Sequence, residues 1–151
     1  MKDHARCAFD NFKKGYNCAQ AVACAFSGEL GMDEATVARL VSSFGGGMGK
    51  LREVCGAVSG ALFVLGALKG YCEPTDDEGK SAHYARVQDF AARFKAQYDT
   101  IICRELLAAI ELRKENTPEP EARTDEYYRI RPCAHFVDSA AKIVEDMLAE
   151  G

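Results

Sequence analysis

No CxxC pair occurs anywhere in the chain, although it carries seven cysteines in 151 residues. That absence removes the thioredoxin-type motif and the zinc ribbon, and the lack of CxxCH removes a covalent c-type haem site. No segment alternates apolar and polar residues as a half-buried strand would. The longest uncharged run, Val54 to Leu68, has 15 residues, too few for a membrane span, so no membrane insertion is expected. The 19 basic residues are scattered, without the patch or stripe that nucleic acid requires. The opening "MKDHARCAFD" mixes both charge signs and has no apolar core, so no secretory signal is expected.

What remains is an ordinary globular balance of 48% hydrophobic and 28% charged residues with a net charge of -4. The length suits one domain, residues 1–151, with a sizeable core. A cytoplasmic setting is expected, where thiols stay reduced and structural disulfides are rare. Seven is also an odd number, so the cysteines cannot all pair within one chain.

Helical periodicity predicts an all-α bundle of six or seven helices around an apolar central helix. Asp3 opens the first helix, and Gly15 follows its end at Lys14. Asn17 caps a second, "CAQAVACAFSGEL", which Gly31 stops, and Asp33 caps a third, "EATVARLVSSF". The central helix is expected over about Arg52 to Lys69. Tyr84, Val87, Phe90, Ala91 and Phe94 mark one buried face of a fifth. Thr100 caps "IICRELLAAIEL", and Pro132 fits the first turn of the last helix. Between these two, residues 113–131 are charged and hold Pro118 and Pro120, in the manner of a lid, binding loop or link.

The caps sort the cysteines. Cys18, Cys55, Cys103 and Cys133 fall at four predicted helix N-termini, whereas Cys7 and Cys24 are mid-helix and Cys72 lies beyond the central helix. Unpaired N–H groups and the helix dipole stabilise an anion at an N-terminus, and the thiolate is both nucleophile and metal ligand. Lys50 and Arg52 near Cys55, and Arg104 beside Cys103, push the same way, while Glu53 and Glu105 oppose them. Four thiols from four helices suit either two reactive pairs or one four-ligand site. Core packing is the competing reading for any single buried cysteine, and it is preferred for Cys24 and Cys72. His135, two residues after Cys133, is the candidate extra ligand, though a structural role is favoured. His4 and His83 read as solvated side chains.

Around Cys55, "GGGMGKLREVCGAVSG" concentrates six glycines in sixteen residues. It is not a phosphate loop: Phe44 stands where a Walker glycine belongs, and Leu51 where Ser or Thr is needed. Gly45, Gly46 and Gly47 stop a helix with positive-φ residues and allow close backbone approach to whatever Cys55 touches. Gly56 and Gly60, four apart on one face, let another helix come close. All five glycines are therefore candidate binding-site residues beside the thiols.

"GYNCAQAV" at 15–22, "FGGGMGKLREVCGAVSGAL" at 44–62, "CRELL" at 103–107 and Cys133 resemble the C_GCAxxG_C_C family, small proteins described as redox-active. The resemblance implies that Cys18, Cys55, Cys103 and Cys133 are the family's four defining cysteines. The central motif here reads Cys55-Gly56-Ala57-Val58-Ser59-Gly60, with cysteine ahead of glycine, the reverse of the order in the family's name.

Two functions fit these residues. One is thiol–disulfide exchange or electron transfer, with Cys55 as a low-pKa thiolate resolved by Cys18, Cys103 or Cys133 and with a redox partner of unknown identity. The other is a metal- or Fe–S-cluster-binding protein, zinc or iron–sulfur, with the same four cysteines as ligands. A homodimer is compatible with both.

Overall fold

In the computed structural model, residues 2–108, 122–124 and 132–151 are described, and among them the chain forms nine helices and no strand. They are α1 (His4–Lys13), α2 (Cys18–Cys24), α3 (Ser27–Leu30), α4 (Glu34–Leu40), α5 (Gly45–Met48), α6 (Gly56–Lys69), α7 (Asp77–Tyr98), α8 (Cys103–Ala108) and α9 (Cys133–Glu150). The all-α architecture is the expected one. Its helix count is higher because several elements are single turns. No described helix is long and apolar enough to cross a membrane.

The N-termini follow from their caps. Asp3, Asp33 and Asp76 each accept a hydrogen bond from the N–H three residues on. Asn17 and Gln20 form a reciprocal capping box at the head of α2. Gly31, at φ 67°, ends α3 as the left-handed cap its position demands.

Four expected boundaries are corrected. The third helix ends at Leu40 and is followed by a separate 3-10 turn, Ser42–Phe44, and the helix expected from Ile101 starts at Cys103. The second helix is broken: Phe26 leaves helical geometry at φ -106°, ψ 13°, and α3 resumes after it. The break lets Phe26 bury completely and stack on the His4 ring at 4.2 Å. His4 is thus buried rather than solvated, with Nε2 2.9 Å from Glu29 and Nδ1 3.3 Å from Glu145. Two carboxylates at hand make burial of this polar ring tolerable. The central helix starts at Gly56, four residues later than expected, because Arg52 is left-handed (φ 62°) and Val54 pairs with Ile102 instead.

The buried apolar residues form one contiguous cluster. Within it α6 buries Ala57, Val58, Ala61, Val64 and Leu65, and packs against α2 along the Gly56/Gly60 face. A Cβ at Gly60 would lie 2.5 Å from the Ala19 carbonyl oxygen, so only glycine permits this approach. On the other side, α1 and α9 pack along each other. Phe94 and Tyr98 of α7 meet Phe136 of α9 edge-on, at 6.3 and 4.8 Å between ring centroids. The Tyr98 hydroxyl also hydrogen-bonds Ser139 at 2.6 Å. These contacts fix the start of α9, where Cys133 sits.

Candidate functional site

Four helix starts converge on one cavity. Cys18 is the first residue of α2, Cys55 the N-cap of α6, Cys103 the first residue of α8 and Cys133 the first residue of α9. All four line a cavity of about 460 Å³, together with Gly45, Gly46, Gly47 and Gly56. Cys7, Cys24 and Cys72 do not line it. Gly60 acts at a distance, by admitting α2 against α6.

Backbone pairing brings Cys55 and Cys103 to the same wall. The Cys55 N–H donates to Ile101 O at 2.8 Å, Cys103 N–H to Glu53 O at 2.6 Å, and Arg104 N–H to Arg52 O at 3.1 Å. Close packing brings Cys18 to the same place. A Cβ added at Gly56 would stand 3.1 Å from the Cys18 Cβ and 2.9 Å from Phe44 O. That explains why cysteine precedes glycine here: position 55 carries the thiol and position 56 must be bare for Cys18 to approach.

The glycine segment forms the remaining wall. Gly46, Gly47, Met48, Gly49, Lys50 and Arg52 all have φ between 59° and 70°. For Met48, Lys50 and Arg52 this conformation costs roughly 1 kcal/mol or more each. Hydrogen bonds hold the segment closed: Lys50 N–H to Gly45 O, Arg52 N–H to Gly46 O and Glu53 N–H to Gly47 O. The turn delivers the Arg52 side chain into the interior, where Nη1 reaches 3.9 Å from Cys103 Sγ. Arg52 therefore serves Cys103 rather than Cys55. Arg104 turns away to Glu53 at 3.1 Å, and Glu105 binds Thr100.

The expectation of a low-pKa Cys55 is overturned. Burial pushes its thiol up to about 12, against 9.0 for an ordinary cysteine. The N–H groups of Val58 and Ala57 favour the thiolate, without full capping geometry, and charge on Cys103 and Cys133 opposes it. Desolvation wins over the helix terminus. Cys18 is also held well above the usual thiol range, first by a hydrogen bond with Cys133 and then by burial. Cys24, outside the cavity, is raised to about 11 by burial and the Glu34 charge.

Cys55 titration has a predictable consequence. At about pH 8 its thiolate fraction is roughly a thousandfold below that of an ordinary cysteine, so iodoacetamide should label exposed Cys72 long before Cys55. Because the folded value exceeds the unfolded one, this thiol supports the fold fully below pH 9.0 and loses that support as pH climbs toward about 12. Site-resolved alkylation across that range measures both effects.

The matching family model is described as "Putative redox-active protein (C_GCAxxG_C_C)" and spans residues 16–147. The chain belongs to this family. No curated protein and no solved structure matched it. In this C_GCAxxG_C_C protein Cys18, Cys55, Cys103 and Cys133 share the cavity.

Some of the lining lay outside the sequence reading. Arg123 reaches the cavity while donating to Phe12 O and Tyr16 O, both at 3.1 Å, with its guanidinium 4.4 Å from the Phe12 ring centroid. It comes from the 113–131 segment, of which only 122–124 lie among the described residues. No spacing or composition signal distinguishes it from its charged neighbours. His135, the candidate extra ligand, points to Asp138 at 3.9 Å with its side chain 71% exposed, and does not line the cavity. Among the described residues no three His, Cys, Asp or Glu side chains are grouped as a metal-ion site.

Proposed function

We propose that this protein reduces and forms disulfides through a Cys18–Cys133 dithiol inside the four-cysteine cavity. The observation that carries the reading is the placement of both thiols on the wall of one cavity, near enough that Cys133 holds the Cys18 thiol above its ordinary range. It joins the starts of α2 and α9, two elements with no sequence proximity. Cys18 is held well above the usual thiol range and keeps its proton, so Cys133 is assigned the attacking role and Cys18 the resolving one.

The exchange balances without further reagents. Cys133 sulfur attacks one sulfur of an incoming disulfide, forming a mixed disulfide and releasing the first product thiol with a proton. Cys18 sulfur then attacks the Cys133 sulfur, closing the protein disulfide and releasing the second thiol with the remaining proton. Two electrons pass from the protein dithiol to the substrate, and the reverse sequence oxidises a dithiol. Cys55 and Cys103 line the cavity as supporting thiols, and Arg52 positions Cys103. The strained glycine segment keeps the walls close.

An anaerobic titration in poised dithiothreitol buffers tests this function. One two-electron wave with the loss of two thiols per chain is expected. Stoichiometric metal or sulfide in the purified protein, or no wave at all, would contradict it.

A further inference from the structure

We infer that Cys7 and Cys24 form a second, reversible disulfide, closed by small-molecule disulfides in excess, that staples α1 to α2. Neither thiol lines the four-cysteine cavity, so this site stands or falls independently of the exchange reading above.

The register of the α1–α2 hairpin brings the two residues together. The helices pack antiparallel across the short turn of residues 14–17. Near the turn, Asn11 Nδ2 donates to Ala21 O at 3.2 Å. Away from it, the His4 ring stacks on Phe26 at 4.2 Å and Lys2 Nζ donates to Ala25 O at 2.7 Å. Cys7 lies between His4 and Asn11, three residues from one and four from the other, on one stripe of α1. Cys24 lies between Ala21 and Phe26 on the chain facing it. The pairs on either side touch, so Cys7 and Cys24 occupy the same level of the hairpin. Two further contacts agree: Asn11 Nδ2 also reaches 3.9 Å from Cys7 Sγ, and charge on Cys7 acts on Cys24.

Access sets the order of reaction. Cys7 is half-buried, whereas Cys24 is 3% exposed and its Sγ donates to Glu34 O at 3.6 Å. Cys7 therefore meets the reagent and Cys24 resolves from inside. Cys7 sulfur attacks one sulfur of the incoming disulfide, forming a mixed disulfide and releasing the first small thiol with the Cys7 proton. Cys24 sulfur then attacks the Cys7 sulfur. The protein S–S bond forms, the mixed one breaks, and the second small thiol leaves with the Cys24 proton. Two electrons pass from the protein to the small disulfide. Closure sacrifices the Asn11–Cys7 and Cys24–Glu34 contacts, which favour the dithiol, so the pair stays reduced in dithiothreitol buffers and closes only in excess disulfide.

Oxidised glutathione in excess over the native protein is the probe, followed by peptide mapping. Cys18 and Cys24 share one tryptic peptide, residues 15–39, while Cys7 lies on residues 7–13. Fragment ions, or a Cys18→Ser background, therefore assign the link. The expected result is a Cys7–Cys24 disulfide with no glutathione on either sulfur, near-complete loss of Cys7 labelling by iodoacetamide, and reopening by dithiothreitol. Cys24→Ser should trap glutathione on Cys7, and Cys7→Ser should leave Cys24 a free thiol. Glutathione persisting on Cys7 while Cys24 is present, or both thiols recovered free, would overturn the staple. Should the serine variants fail to fold, wild-type mapping decides by itself. A Cys7–Cys24 link without a Cys18–Cys133 link would leave this inference standing and overturn the exchange reading.

Discussion

Cys133→Ser is expected to cut the rate of disulfide reduction by about two orders of magnitude or more, because it removes the attacking sulfur. Cys18→Ser should behave differently. Attack on the substrate still occurs, but resolution does not, so a mixed disulfide accumulates on Cys133 after release of one product thiol. Mass spectrometry of the intact protein distinguishes the two variants. Cys72→Ser is the natural control, since that thiol is exposed and outside the cavity. Should Cys133→Ser react at the wild-type rate while Cys55→Ser is dead, the attacking role would belong to Cys55 despite its burial. The reason for preferring Cys133 is physical: the interior position of Cys55 keeps its proton on, with its thiol pushed up to about 12.

The second large effect concerns stability. Gly47 sits at φ +70°, and a Cβ there would meet Cys103 Cβ at 2.7 Å, the Glu53 backbone nitrogen at 2.8 Å and Arg52 Cα at 2.9 Å. Two of those three contacts are backbone atoms that cannot swing aside. Gly47→Ala is therefore expected to cost about 2–4 kcal/mol, combining left-handed strain with overpacking. Gly49 shares the conformation (φ +59°) but has nothing within 4 Å of a Cβ, so Gly49→Ala should cost only about 1 kcal/mol. Denaturant unfolding of the two variants separates steric crowding from backbone preference. Equal costs would mean that the wall beside Cys103 is looser than described.

Much of the architecture was legible from caps and stops. Asp3, Asn17 and Asp33 each have a side chain that satisfies an orphan N–H, and each marks a real helix start. The same reading, from Asn17, the expected start near Arg52, Thr100 and Pro132, placed Cys18, Cys55, Cys103 and Cys133 at N-termini. The small-residue face of α6 similarly announced a close neighbour, and α2 is that neighbour.

The features that escaped have physical reasons. Left-handed Met48, Lys50 and Arg52 carry no local sequence signal, since the conformation is imposed by bonds back to Gly45 and Gly46 and by the Met48–Leu51 turn. The late start of α6 follows from that turn. Burial is a property of the assembled fold, so a pattern of helix starts predicted a lowered Cys55 value where desolvation raises it. Likewise the burial of His4 depends on Glu29 and Glu145, which lie 25 and 141 residues away. Arg52 and Arg123 reach the cavity through contacts that no short-range pattern encodes.

The most direct measurement is disulfide mapping of the protein after oxidation by a single equivalent of a small disulfide. The expected product is one intramolecular link between the peptides carrying Cys18 and Cys133, with Cys55 and Cys103 recovered as free thiols. A Cys55–Cys103 link instead, or oxidation confined to Cys7, Cys24 and Cys72, would contradict the assignment of the reactive pair.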